Sequence, residues 1–205
     1  MSHSQSFDAI VLKTYDVGEA DRFCILLTRE KGRLMARAAG ARRTGSRLGG
    51  SLLPFRRLNI QLKESSAGWI IAGVASVEMS QPLSLPSFAA LEEGIEILLR
   101  LVQHEGELPE IFDATLLFIA DPLQVTPLAY TFSLLHHLGL LPEEPELTAM
   151  FGLEEADHAF LEACRTGSPA PAPSNQDLLR HAQSHFLALT LTSPLKATAI
   201  SNSLR

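Results

Sequence analysis

Only two cysteines occur in the 205-residue chain, Cys24 and Cys164. They stand far apart and fit no C-x-x-C or Cys/His ligand spacing, so neither a disulfide scaffold nor a zinc site is indicated, and a reducing, cytoplasmic setting is expected. No stretch offers ~18 uninterrupted apolar residues, and the opening MSHSQSFDAIVLKTYD lacks a basic segment followed by a continuous apolar run. Neither a membrane span nor an export signal is expected. G-x-S-x-G is absent, and nothing in the spacing of Ser, His and Asp picks out a catalytic triad, so no catalytic residue is assigned. What is plentiful is apolar side chain: at 46% hydrophobic residues the chain can pack a core without covalent staples.

Charge is unevenly spread. Residues 1–80 hold 12 Lys and Arg against 7 Asp and Glu, whereas residues 81–205 hold 5 against 16. The overall −6 conceals this division. Between positions 29 and 57 stand Arg29, Lys31, Arg33, Arg37, Arg42, Arg43, Arg47, Arg56 and Arg57, with Glu30 as the only acid. A partner built of phosphates is drawn to one end of such a molecule and repelled by the other.

The first 80 residues read as strands. FDAIVLKTYDV, DRFCILLTRE, GRLMARAAGA, PFRRLNIQLKE and GWIIAGVASVE are rich in β-branched, leucine and aromatic residues and are separated by turn-forming segments. In the third run Leu34, Ala36 and Ala38 alternate with Arg33 and Arg37, so the two arginines share the opposite face. Five short strands suit a small closed barrel; the five-stranded OB barrel is the commonest type, although strand count alone does not separate it from an SH3-like barrel. QPLSLPS, residues 81–87, ends the pattern and serves as a linker. From 88 to 205 the period is helical: SFAALEEGIEILLRLVQHE with Ser87 as N-cap, LPEIFDATLLFIAD, TPLAYTFSLLHHLGLL, a weaker segment at 144–167, a Pro/Ala loop at 168–174, and NQDLLRHAQSHFLALTLTS. The expected architecture is α+β: an OB barrel over 1–80, the linker, then an all-α domain.

The segment GARRTGSRLGG, residues 40–50, combines three arginines with four glycines. It has the G-x4-G skeleton of a nucleotide-binding P-loop, but Ser46 stands where the lysine belongs and Arg47 where the magnesium-binding Ser/Thr belongs, so nucleotide hydrolysis is rejected. A solvated basic loop is the plain alternative. Arg33 and Arg37 before it, and Arg56 and Arg57 after it, favour a phosphate backbone instead. Bases stack on aromatic rings beside such a groove, and Tyr15, Phe23, Phe55 and Trp69 are the rings available, with Tyr15 preferred because it adjoins a turn. His181 and His185 lie i,i+4 but lack a third ligand, and the pair His136 and His137 at a helix end reads as structural. No metal or cofactor is expected.

These residues resemble the RecO family of bacterial recombination-mediator DNA repair proteins. The resemblance is carried by AIVLKTYDVGEADRFCILLTREKGRLMARAAGARR, then TGSRLGG and SLLPFRRLNIQL. Within them lie a G-E-x-D turn (Gly18, Glu19, Asp21), T-x-E-x-G (Thr28, Glu30, Gly32) and the G-A-R-R block at 40–43; LLHHLGLLPE in the second half matches a Leu-Leu-x-x-Leu-Gly-x-x-Pro motif. The resemblance implies an OB domain followed by a helical domain, without catalysis. It further implies binding of single- and double-stranded DNA, strand annealing, and work with RecR and the single-strand-binding protein SSB in loading RecA. Its DNA contacts would be Arg37, Arg42, Arg43 and Arg47, flanked by Lys31 and Arg33; the charge argument adds Arg56, Arg57 and Tyr15.

The chain departs from the family in two places. Many members carry four zinc-binding cysteines shortly after the L-G-x-x-P segment, whereas EEPELTAMFGLEEADHAF has none, which excludes zinc there. Basic residues and a Phe-Glu pair often precede Leu-Leu in the helix linked to gripping the acidic SSB tail, whereas here Leu128, Ala129, Tyr130 and Thr131 stand in PLAYTFSLL. An acidic tail needs a cation to meet it. The reading is therefore a non-enzymatic DNA-binding recombination mediator; the alternatives are a protein-interaction adaptor whose barrel binds DNA weakly, and an RNA-binding OB module.

Overall fold

The first strand is long because it has two partners. In the computed structural model, which describes residues 4–77, 83–103 and 105–191, β1 (Ser4–Val17) pairs antiparallel with β4 (Arg57–Ser65) through residues 4–10 and with β2 (Asp21–Thr28) through residues 9–17. β2 pairs antiparallel with β3 (Gly32–Ala38), β4 pairs antiparallel with β5 (Gly68–Val77), and a short parallel pairing of β3 with β5 closes the barrel in the order β1-β2-β3-β5-β4. This closed five-stranded mixed barrel is the OB architecture, and closure removes the free edges that an open sheet would expose.

The barrel is narrow, and its lining shows why. Ala9, Ala36 and Ala38 share the interior with Val11, Cys24, Leu26, Leu34, Leu58, Ile60, Leu62 and Trp69. Small side chains on β1 and β3 leave room for the branched residues of β2 and β4 and for the indole, which meets Phe7 edge to face at 5.9 Å. Cys24 is buried there, and desolvation pushes its thiol pKa up to about 11. A later segment, Val102–Phe112, belongs to the same compact unit. The Gly106 N–H donates to the Lys31 carbonyl (3.0 Å), the Trp69 indole N–H donates to Glu105 (3.2 Å), and a side chain at Gly32 would collide with the Gly106 carbonyl oxygen at 2.0 Å. The sequence pattern assigns this stretch to the helical part, because its backbone pairing with the barrel leaves no periodic trace.

The second compact unit comprises Leu83–Leu101 and the chain from Asp113 onward. Its helices are α2 (Leu85–Leu101), α3 (Pro109–Ala120, whose first turn falls in the barrel unit), α4 (Pro127–His137), α5 (Glu144–Phe151), α6 (Glu155–Thr166) and α7 (Gln176–Thr190). α2 starts inside the stretch read as a linker, and Ser84 rather than Ser87 caps it: the Ser84 hydroxyl accepts the Ser87 N–H at 3.2 Å. The weak segment at 144–167 is two helices, divided by Gly152 at φ 67°. α4 is buried on every side over residues 128–135, as befits a helix apolar all round. Thr126 caps it, and Pro127 fills its first turn, where no N–H is needed. Tyr130 stacks on Phe118 at 4.3 Å and shares a hydrogen bond with Thr115 (2.8 Å), and burial raises its phenol pKa.

Candidate nucleic-acid interface

The Gly/Arg segment is a built loop. After β3 the chain makes two consecutive turns, with Arg43 N–H donating to Gly40 C=O (3.1 Å) and Ser46 N–H to Arg43 C=O (3.0 Å). It then enters a single helical turn, α1 (Arg47–Ser51). Ala41 and Leu52 anchor the two ends in the barrel core, and Gly49 lies so close to the Ala41 carbonyl that a Cβ would sit 2.4 Å from its oxygen. Arg22 ties the far end down, its guanidinium donating to the carbonyls of Gly49 (3.4 Å) and Leu52 (3.3 Å) and to Asp16 (3.0 Å). A five-residue helix after an alternating strand is not the frame of a P-loop.

Beside the loop, the outward face of β1, β2 and β3 carries two cross-strand rows. Tyr15 lies opposite Phe23, which lies opposite Arg37; Lys13 lies opposite Ile25, which lies opposite Met35. Tyr15 is 46% exposed and Met35 55%, Phe23 is half-buried, Ile25 is buried, and Lys13 and Arg37 reach solvent. With strands about 4.8 Å apart and ~7 Å between alternate residues, the patch is roughly 10 Å by 7 Å, large enough for a nucleobase to lie on. The Lys13 ammonium sits 5.7 Å from the centre of the Tyr15 ring. A surface of rings, a thioether and cations on one barrel face offers stacking and phosphate contact together.

The nine residues singled out from the sequence divide by what already holds them. Arg43 and Arg47 are exposed, and neither side chain has an ion-pair or hydrogen-bond partner among the described residues. Arg42 is exposed but tethered, donating to the Gly18 carbonyl (2.8 Å) and lying 3.3 Å from Asp16. Arg37 pairs with Asp21 through Nε at 2.9 Å and through a second contact from its terminal nitrogen. Arg56 donates to the Gly50 carbonyl at 2.8 Å. Arg57 is committed elsewhere, making a two-point pair with Asp8 (3.0 and 2.8 Å), the same carboxylate that lies 3.8 Å from Arg29. Arg33 is half-buried with its guanidinium on the Val102 carbonyl (2.7 Å), and desolvation lowers its pKa from the ordinary guanidinium value. Lys31 lies over the Trp69 ring at 5.5 Å. Tyr15 is exposed, and it has the apolar neighbour, Phe23, that its local sequence does not reveal.

Of the other rings considered, Trp69 and Phe55 are interior. Phe55 adopts φ 65°, a left-handed conformation that costs a non-glycine residue about 1–2 kcal/mol and is held by the Phe55 N–H to Val11 C=O bond (2.7 Å). Sequence reasoning missed Lys13 and Met35 as surface residues and Arg22, Asp16 and Asp21 as anchors. A β-bulge between Val11 and Lys13 explains the first omission: it reverses the parity of β1, so Lys13 and Tyr15 point out although Ala9 and Val11 point in. The anchors carried a signal in the G-E-x-D turn, whose partners lie about 20 residues away.

The helical unit offers less. His181 and His185 contact the Phe151 ring at 6.2 and 5.8 Å, and among the described residues no group of three or more His, Cys, Asp or Glu is placed to hold a metal ion. Where the resemblance would put zinc ligands, His158 bonds Thr148 (3.1 Å), and Glu144 lies 3.6 Å from His158 and 3.7 Å from Arg165. Leu128, Ala129, Tyr130 and Thr131 are all buried. Among the described residues no helix is long and apolar enough to cross a membrane.

Comparison with known proteins bears on the barrel most strongly. The family model described as recombination protein O, N terminal, matches residues 1–79. The DNA repair protein RecO of Myxococcus xanthus is 35% identical over 147 residues, 66% of this chain and 59% of the relative. That of Anaeromyxobacter dehalogenans is 32% identical over 143 residues, 65% of this chain and 56% of the relative. The Nocardioides protein of the same name is 54% identical over a shorter 57 residues, 28% of this chain and 23% of the relative. The chain thus spans less than two thirds of the length of the curated relatives it matches. With a closed five-stranded barrel, a helical unit and a match that extends beyond the barrel, the chain is similar to the RecO proteins, most clearly over residues 1–79.

Proposed function

We propose that the chain is a non-enzymatic DNA-binding mediator of recombination and repair, which holds a strand across the outward face of β1–β3 and along the basic loop. The observation that carries this reading is the coincidence of the Tyr15–Phe23–Arg37 row with an anchored loop on which Arg43 and Arg47 make no hydrogen bond or ion pair among the described residues. Phosphate contacts from Arg43, Arg47, Arg42 and Arg37 give sequence-independent affinity, and Tyr15, Phe23 and Met35 receive unpaired bases. Lys31, Arg33 and Arg56 extend the positive field, whereas Arg57 stabilises the barrel. Neutralising phosphates on two strands lowers their mutual repulsion and leaves bases free to pair, which is a physical route to annealing. The likeness to RecO proteins supports work in the cytoplasm with RecR, SSB and, indirectly, RecA. The interior placement of residues 128–131 argues that any grip on the SSB tail uses other residues.

Annealing of complementary oligonucleotides, followed by fluorescence quenching, tests the reading. Tyr15→Ala should slow annealing and weaken single-strand binding by about 1–3 kcal/mol, the worth of one stacked base. Tyr15→Phe should retain both. If Tyr15→Ala anneals as fast as wild type, the patch is not the strand's seat.

A further inference from the structure

The G-E-x-D turn and the G-A-R-R block are separate in sequence and interlocked in space. One oxygen of the Asp21 carboxylate accepts the Gly40 N–H at 2.8 Å, and the other takes the Arg37 guanidinium. The Ala20 carbonyl accepts the Arg42 N–H (2.9 Å) and the Gly18 carbonyl accepts the Arg42 guanidinium (2.8 Å). Gly40 itself sits at φ 67°, in the left-handed region that lets the chain turn at this point. A carboxylate inside a surface meant for phosphates is unfavourable by Coulomb's law, so its presence there needs a different account.

We propose that Asp21 is a positioning residue of the nucleic-acid interface: by holding the Gly40 backbone and the Arg37 side chain at once, it sets the basic loop and the sheet patch in one fixed arrangement. The inference rests on the reading of this surface as a phosphate interface. Its logic is preorganisation: a strand that meets arginines already fixed in place spends less binding free energy ordering them. Nearby Glu19 supplies the natural comparison. It lies in the same turn, is exposed, and among the described residues holds no arginine.

Removing either acid makes the surface less negative by one charge, so simple electrostatics expects Asp21→Asn and Glu19→Gln to tighten binding of a fluorescein-labelled oligothymidine alike. Positioning expects opposite signs. Glu19→Gln should tighten binding about 2-fold, whereas Asp21→Asn should weaken it ~5- to 25-fold at 0.1 M salt, the loss of one or two phosphate contacts, with the log-log salt slope reduced by ~0.7–1.4. Asp21→Glu keeps the charge and displaces the carboxylate by one methylene; it should weaken binding as well, where Coulomb's law alone expects no change. Trypsin gives a readout without DNA: cleavage after Arg42 and Arg43 should accelerate about 10-fold in Asp21→Asn while the unfolding temperature stays near wild type. Tighter binding by Asp21→Asn with unchanged proteolysis overturns the proposal. Faster proteolysis, with a wild-type protein that binds no oligonucleotide, keeps the loop anchor but refutes the nucleic-acid reading and the interface role with it.

Discussion

Replacing Arg43 and Arg47 together by alanine separates cations that bind from cations that hold the fold. Both side chains are exposed and make no hydrogen bond or ion pair among the described residues, Arg43 acting on Asp21 only through its charge, so their loss should change stability by no more than about 0.5 kcal/mol. If each neutralises one phosphate of a single strand, the log-log salt slope should fall by ~1.4, about 0.7 for each contact. Extrapolated from a common value at 1 M salt, that difference is a ~25-fold loss of affinity at 0.1 M and a ~10-fold loss at 0.2 M. The comparison variant is Arg57→Ala. Its guanidinium is fixed on Asp8 at 3.0 and 2.8 Å, so affinity should stay within about 2-fold while the protein loses roughly 1 kcal/mol of stability, a value for a half-exposed two-point pair. Fluorescence anisotropy over a salt series, with thermal unfolding of each variant, measures both quantities. The reasoning fails if Arg57→Ala costs as much affinity as the double variant, or if the double variant leaves the slope unchanged.

Three further outcomes are expected. Gly94→Ala should destabilise the helical unit by ~1–3 kcal/mol, because the added Cβ would lie 2.4 Å from the Phe118 ring, which its stack on Tyr130 prevents from moving aside; a melting temperature equal to wild type would contradict this. Cys24 and Cys164, with thiol pKa values raised to about 11 and about 12 by burial, should resist a thiol reagent at pH 8 until the protein unfolds. The stabilisation from keeping these thiols neutral is complete below pH 9.0, the ordinary value, and drains away as pH rises from there towards 11–12, which high-pH melting curves would reveal. The Gly40 N–H and Arg37 hold the Asp21 carboxyl below its ordinary pKa of 3.8, so the anchor contributes fully at and above neutral pH and is lost only as pH falls through that lowered value. The Gly40 amide resonance should therefore titrate below pH 3.8, and a midpoint above it would count against the anchor.

The barrel was legible in the sequence because a half-buried strand alternates. Leu34, Ala36 and Ala38 against Arg33 and Arg37 is β3 as found. Periodicity is local, and the features that escaped it are not. The bulge after Val11 turns Lys13 and Tyr15 outward, and only the pairing with β2 reveals it. Asp16 and Asp21 count as charge to subtract until their bonds to Arg22, Arg42 and Arg37 show that they fix the cations in place. Which cations are committed to the fold is likewise not a local property, because Arg57 and Arg33 find their partners 49 and 69 positions away. The return of Val102–Phe112 to the barrel depends on main-chain bonds, which side-chain identity hardly encodes.

Binding of the wild-type chain to a labelled single-stranded oligonucleotide across several salt concentrations tests the central claim most directly. Four phosphate contacts, from Arg37, Arg42, Arg43 and Arg47, correspond to a slope near −2.8 in log affinity against log salt, with residual affinity at high salt from the stacking patch. Weak binding with a slope near zero would contradict the account and transfer the function to the helical unit.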